Sequence, residues 1–256
     1  MQLLRNIPEV LPQPCVATIG FFDGVHRGHR YLIEQVREVA VAHGFASGVV
    51  TFPVHPRKVV QPEYHPELLT TYEEKVALLA ETGLDYCMML DFTPEVAILS
   101  AKEFMLFLYN HYNIRALVIG YDHRFGHNRS EGFDDYVRYG QELGIEVILA
   151  HAYIDKDVAV SSSVIRQLLS EGNVSEAASC LGYDYFLNGI VVSGYRVGRK
   201  IGFPTANLRV DDPDKLVPSD GVYAVRVTVA GQSYGGMLSI GSVSYTHLTL
   251  PTILRV

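Results

Sequence analysis

Between Cys15 and about Ala150 the chain repeats one pattern: a short apolar run, a stretch with a helical period, then another apolar run. Short runs without polar alternation suit strands covered on both faces, and such strands are parallel ones joined by helices. The candidates are CVATIG, ASGVVTF, DYCMML, ALVIG and IEVILA. The helix after the first run sets Leu32, Ile33, Val36, Val39 and Ala40 on one side and stops at Gly44, a suitable C-terminal glycine. Thr71 with Glu74, and Ser100 with Glu103, have capping-box spacing at the start of two more helices, the second turning Phe104, Phe107 and Leu108 inward. Right-handed crossovers make this an open, doubly wound α/β sheet with its ligand crevice outside the carboxyl ends of the strands. Gly20, Phe52 and Gly120 fall at such ends.

The first strand hands over to its helix through GFFDGVHRGH, Gly20 to His29. Gly20, Gly24 and Gly28 allow a tight turn and close approach of a ligand, and a helix N-terminus offers free N–H groups and a favourable dipole. Phe21, Phe22 and Asp23 complete the turn. His26 and His29 share a helix face and can donate hydrogen bonds to phosphate oxygens; protonated, they would offset charge growing on a bridging oxygen. The spacing is neither the GxxxxGK[ST] nor the GxGxxG phosphate loop. The alternatives are a surface pair or half a zinc site, and no Cys or further HExxH histidine completes a metal set.

Three more segments carry polar side chains to the same edge. VTFPVHPRKV ends the second strand with prolines around His55, a rigid turn that reads equally as an ordinary strand exit. VIGYDHRFGHNR follows the fourth strand and packs Asp122, His123, Arg124, His127, Asn128 and Arg129 together, an anion-binding cluster or a solvated loop. AVSSSVIRQLLSEG puts three hydroxyls before a helix, where serines commonly only cap. Arg166 in the first turn would oppose the helix dipole and call for an anion. From about Tyr185 the helical period gives way to glycine-punctuated alternation, with a hairpin turning at Gly231 and Gln232 and a compact PTAN bend at Pro204 to Asn207. A second, all-β module therefore begins near Gly182.

The formal charge of −7 argues against a nucleic-acid duplex as partner. A hydrophobic content of 48% with 19% charged residues reads as globular. The three cysteines, widely spaced and without CxxC, read as reduced, buried thiols. With no secretory or membrane-spanning run, the expected location is the cytoplasm.

The ten-residue histidine string resembles the HxGH signature of the nucleotidyltransferases, and most resembles the FAD synthetase half of the bifunctional riboflavin kinase/FAD synthetases. His55 and Pro56 sit in a segment similar to TFxPHP, with Val54 as a departure. Asp122, Phe125 and Gly126 match GxDFxFG, with His123 in place of an aromatic. Ser162, Ser163 and Arg166 resemble SSTxxR, and GRKIGFPTANL resembles the riboflavin kinase signature.

The resemblance implies a Rossmann-like transferase domain over residues 1–182 that moves AMP from ATP to FMN, and a partial kinase barrel over 183–256. It implies catalytic roles for His26, His29 and Arg166, and ATP contacts from Gly20, Phe21, Phe22, Asp23, Gly24, Gly28, Ser162 and Ser163. Flavin would meet His55, Pro56, Asp122 and Phe125. Gly202, Thr205 and Asn207 would serve ATP and Mg2+ in the kinase module, Thr205 and Asn207 as metal ligands, with no direct ligand in the transferase domain. Riboflavin, FMN and ATP are the implied small-molecule partners. From about Ser242 the tail SVSYTHLTLPTILRV lacks the family's RPT turn, carboxylate and last helix. Its final dozen or so residues are expected to be foreign or frameshifted, to leave strand edges unpaired, and to leave the kinase reaction weak or lost; the alternative is a shortened kinase that closes its barrel with this tail. The rival readings are a transferase for a non-flavin phosphate and a non-catalytic flavin-binding protein.

Overall fold

Six parallel strands make the sheet of the N-terminal part: β1 (Gln2–Arg5), β2 (Cys15–Ile19), β3 (Ala46–Thr51), β4 (Tyr86–Met89), β5 (Ile114–Ile119) and β6 (Glu146–Leu149). The computed structural model describes residues 1–5, 10–61, 63–120, 123–127, 130–153, 160–193, 202, 205–241 and, for the backbone, 248–251. These divide between two compact units, Met1–Ser162 and Ser163–Val256.

The spatial order is β1-β4-β3-β2-β5-β6. Every residue of β2 and β3 is buried, as expected of strands with helices on both faces. The chain moves outward from β2 through β3 to β4 and then returns to the other side of β2 as β5. The topological switch point, where open sheets of this kind bind ligands, thus lies at the carboxyl ends of β2 and β5. All five expected strands are present. The sixth, β1, was not expected: it is an edge strand with only Leu4 buried, too short to show a pattern before the prolines begin.

Helices join the strands as α1 (Arg27–His43), α2 (Pro56–Val60), α3 (Tyr72–Ala80), α4 (Pro94–Ala97), α5 (Ala101–Tyr112) and α6 (Phe133–Leu143). α1 buries Ile33, Val36 and Ala40 and ends at Gly44 in the left-handed region. Both capping boxes are formed, Thr71 with Glu74 on α3 and Ser100 with Glu103 on α5. Met105, Leu108, Ile114, Leu117 and Tyr136 anchor the core. Cys15 and Cys87 are buried in it as free thiols, and burial pushes them up to about 12 and about 11.

In the second unit α7 (Ser162–Ser170), from its second residue onward, and α8 (Val174–Leu181) precede the strands. The Ser219 N–H donates to the Leu169 carbonyl at 3.1 Å, which fastens the end of α7 to the chain leading into the sheet. That sheet is antiparallel, with β7 (Ile190–Val192), β8 (Thr205–Arg209), β9 (Gly221–Val229), β10 (Gln232–Ile240) and β11 (Leu248–Pro251) in the order β7-β8-β11-β10-β9. Tyr223 and Val225 face Leu238 and Ile240, and Val222 on the other side is 71% exposed. The hairpin turns at Ala230 and Gly231, with φ of 49° and 79°, one residue before the expected position. Two consecutive positive φ values match the twist of the flanking strands. Part of the tail is built into the sheet: β11 pairs with β8 and reaches β10 at Ser239, so the open edges are β7 and β9. Residues 242–247 and 252–256 lie outside the described residues.

Candidate active site

The turn that leaves β2 is strained and buried. Phe22 has φ 55° and ψ 36°, Gly24 has φ 80°, and Val25 has φ 36°. A left-handed phenylalanine and valine each cost on the order of 1–3 kcal/mol and persist only where the surroundings over-determine them. Here the carboxylate of Asp23, 3% exposed, accepts from Leu69 N at 2.9 Å, from Thr70 N at 3.1 Å and from Thr70 Oγ1 at 3.2 Å. Gly24 N donates to Thr70 Oγ1 at 3.1 Å, and Ser162 Oγ donates to the Asp23 carbonyl at 2.9 Å. The side chain of Asp23 is therefore a fastening of the turn, turned inward. Only Gly24 of the three glycines is needed for a positive φ. Gly20 and Gly28 are small for another reason: a Cβ on Gly20 would lie 3.1 Å from the Phe22 ring, and one on Gly28 would lie 3.2 Å from the His26 ring.

That turn delivers two stacked imidazoles. His26 is the N-cap of α1, its Nδ1 accepting from the His29 backbone N–H at 3.3 Å. This leaves the proton of the neutral His26 ring on Nε2. The two ring centroids are 3.6 Å apart with the planes 18° from parallel, and the Phe22 ring stands edge-on to His29 at 5.2 Å. His29 Nδ1 is fully buried and has no hydrogen-bond partner among the described residues. Burial first, then the nearby His26 and Lys75, hold His29 well below its ordinary value of 6.5. Of the two ways these imidazoles were expected to act, as hydrogen-bond donors and, when protonated, as positive charges, the lowered pKa of His29 favours the first near neutral pH.

A stability measurement follows from this. Below the ordinary value the unfolded chain binds a proton at His29 and the folded chain does not, so stability holds above that pH and declines as pH falls toward the folded value. The decline from this one group is at most about 1.4 kcal/mol per pH unit. His29→Gln is expected to melt with a shallower loss between neutral and mildly acid pH than the wild type. Parallel melting curves would show that His29 is not held neutral by the fold.

The second turn touches the first. Pro56 opens α2, and His55 caps it, its Nδ1 accepting from Arg57 N at 3.2 Å. The His55 ring packs against Phe21 of the histidine turn at 4.7 Å. In the third loop Asp122 lies outside the described residues, as do Asn128 and Arg129. Phe125, 8% exposed, stacks on the fully buried Tyr136 at 4.1 Å, and its N–H donates to the Tyr136 hydroxyl. Gly126 has φ 91° and passes so close to the start of α5 that a Cβ would lie 2.7 Å from Ala101 N. The Phe125–Gly126 pair thus locks this loop onto the core.

Ser162 joins the histidine turn through its bond to Asp23, while Ser163 and Arg166 follow on α7 in the second unit. Because α7 begins at Ser162, Arg166 lies beyond the first turn, and its opposition to the dipole is weaker than expected. In the second unit Gly202 has φ 84°, and Thr205 and Asn207 lie two apart on β8, hence on one face. Two neutral oxygen donors on one face fit a hard cation. No group of three His, Cys, Asp or Glu side chains able to hold a metal occurs among the described residues, so the histidine pair finds no partners for a zinc site there.

Two residues essential to this geometry gave no sequence signal. Thr70 acts on Asp23 across more than forty positions, and Lys75, 2% exposed, passes for a surface lysine of α3. Burial pushes Lys75 down to about 8, against the opposing pull of Asp23.

Comparison with known proteins agrees with this layout. Residues 9–164 match the family model for FAD synthetase, and residues 181–252 match that for riboflavin kinase. The bifunctional riboflavin kinase/FMN adenylyltransferase of Escherichia coli is 36% identical over 94% of this chain and 78% of its own length. Those of Listeria monocytogenes and Bacillus subtilis are 36% and 34% identical, over 88% of this chain and 72% and 71% of theirs. A solved structure from Streptococcus pneumoniae, described as a macrolide-efflux protein, superposes with a TM-score of 0.86 at 30% identity, over 99% of this chain and 86% of that one. Among the described residues here, no helix is long and apolar enough to cross a membrane. With both family models matched in order and relatives aligned over most of their length, the chain belongs to the bifunctional riboflavin kinase/FMN adenylyltransferase family.

Proposed function

We propose that residues 1–182 form an FMN adenylyltransferase acting in FAD biosynthesis, with the chemistry centred on the histidine turn. An oxygen of the FMN phosphate attacks the α-phosphorus of ATP in line, the bond to the bridging oxygen breaks, and pyrophosphate leaves. No protein nucleophile is needed, because a phosphate monoester dianion already is one. Catalysis is then positioning and charge stabilisation. His26 and His29 act as imidazole N–H donors to the phosphates and to the departing pyrophosphate. Gly20, Phe21, Phe22, Gly24 and Gly28 bring the backbone to ATP. Asp23 serves ATP by holding that backbone in shape. Ser162 adds a hydroxyl beside the turn, the family resemblance adds Ser163 and Arg166 as phosphate contacts, and His55, Pro56, Asp122 and Phe125 with their loops form the flavin side.

Magnesium, bound with ATP, would neutralise phosphate charge. In the module over 183–256, Gly202 gives the backbone room, and Thr205 and Asn207 would hold the cation for riboflavin phosphorylation. We place riboflavin phosphorylation in this module on its match to the riboflavin kinase family. We place the protein in the cytoplasm, where ATP and flavin are available.

The observation that carries this reading is the pair of stacked imidazoles on a strained, buried turn at the switch point of the sheet. Purified protein given FMN, ATP and magnesium is expected to form FAD and pyrophosphate. The same protein given riboflavin and ATP without FMN tests the second module, and formation of FMN there would assign phosphorylation to residues 183–256. Absence of FAD in the first mixture would overturn the assignment.

A further inference from the structure

Lys75 stands where a lysine should not. It lies in the first turn of α3, whose positive dipole end disfavours a cation, and only 2% of it is exposed. Leu78 and Leu79 of the same helix are also buried, so a leucine or methionine would suit the position by packing alone. What the ammonium does there is specific. Nζ donates to the Phe52 carbonyl at 2.7 Å and to the Phe21 carbonyl at 3.2 Å, and lies 3.9 Å from the centroid of the Phe21 ring. Phe21 follows β2 and Phe52 follows β3, so one nitrogen bridges the exits of two neighbouring strands at the carboxyl edge. The Phe21 carbonyl also accepts from Thr51 Oγ1 at 3.2 Å, and the Phe21 ring carries His55.

We propose that Lys75 is a positioning residue of the transferase site, tying the histidine turn to the proline turn through the Phe21 and Phe52 carbonyls and setting the spacing at which nucleotide and flavin meet. The proposal rests on the transferase reading for what the spacing serves. It also has a consequence independent of turnover. The charged groups acting on His29 are His26, from its own helix, and Lys75, from α3, while Asp23 acts on Lys75. Removing the ammonium removes one of the charges that keep a proton off His29.

The test uses the full chain with Lys75→Met, which keeps the length and apolar stem, and Lys75→Arg, which keeps the charge. Steady-state rates with FMN and ATP, thermal melting, and titration of His29 by NMR of the labelled imidazole are compared with wild type. Lys75→Met is expected to lower kcat at least tenfold and to raise the His29 titration midpoint. Lys75→Arg should keep the midpoint low and recover part of kcat. A folded Lys75→Met with wild-type kcat, or with an unmoved His29 midpoint, overturns the proposal. Should Lys75→Met fail to fold, Lys75→Arg decides: a His29 midpoint as high as that of free histidine would overturn it. If wild type itself makes no FAD, the transferase reading fails, and the titration still decides whether Lys75 governs the histidine turn.

Discussion

His29→Ala is expected to lower the turnover of FMN to FAD by a hundredfold or more, the loss of roughly 10²–10³ that follows removal of one donor to a developing oxyanion. The expectation comes from the state of the ring. Its Nδ1 is buried without a hydrogen-bond partner among the described residues, and burial, helped by His26 and Lys75, holds the ring neutral. A neutral imidazole kept in place before the nucleotide arrives loses little reorganisation energy when charge grows on the bridging oxygen. The substitution keeps the cap of α1, because the bond from His29 to His26 Nδ1 uses the backbone N–H that alanine retains, but it also removes the ring packed on His26 and Phe22, so melting is measured beside rate. His26→Ala removes the acceptor that caps α1 and so costs about 1 kcal/mol of stability besides any effect on rate. Steady-state assays with melting curves on both variants separate the two roles. A loss below tenfold in folded His29→Ala would take this side chain out of the mechanism.

How much of this could be read from the chain follows from where each signal resides. β2 and β3 were legible because every residue in them is buried, and the capping boxes because both partners lie within one turn. β1 was not, since an edge strand with one buried residue looks like any short stretch. The histidine turn was legible as a string, but the reason for its composition was not. Gly20 and Gly28 make room for Phe22 and His26, and nothing local says that the ring of a neighbour will fold back over a glycine. Phe125 sits in a recognisable segment, yet its stack on Tyr136 is a tertiary contact that gives it a place in the core as well as at the loop. Lys75 was invisible for the same reason: its partners are two main-chain carbonyls, and a carbonyl has no letter in the sequence.

Asp23→Ala is expected to destabilise the protein by about 3 kcal/mol or more, in the range found when one member of a buried charged hydrogen-bond group is removed. Family resemblance places Asp23 among the ATP contacts, whereas the geometry has its carboxylate receiving Leu69 N, Thr70 N and Thr70 Oγ1. Alanine would strand those buried donors, each costing roughly 1–3 kcal/mol if left unpaired, less what relaxation recovers. It would also withdraw the negative charge that offsets the buried ammonium of Lys75. The left-handed backbone at Phe22 and Val25 would lose its main restraint, and the turn would relax away from the shape that stacks the two imidazoles. For a chain of this size the melting temperature should fall by roughly 6–12 °C, with FAD synthesis declining because the turn has lost its form. Thr70→Val, which removes one bond to the same carboxylate and the acceptor of the Gly24 N–H, should show a smaller fall of about 2 kcal/mol. The opposite pattern is equally readable. An Asp23→Ala protein that melts with wild type but needs far more ATP to reach half its maximal rate would mean that the carboxylate serves the nucleotide directly, and that the strain of the turn is borne by its packing alone.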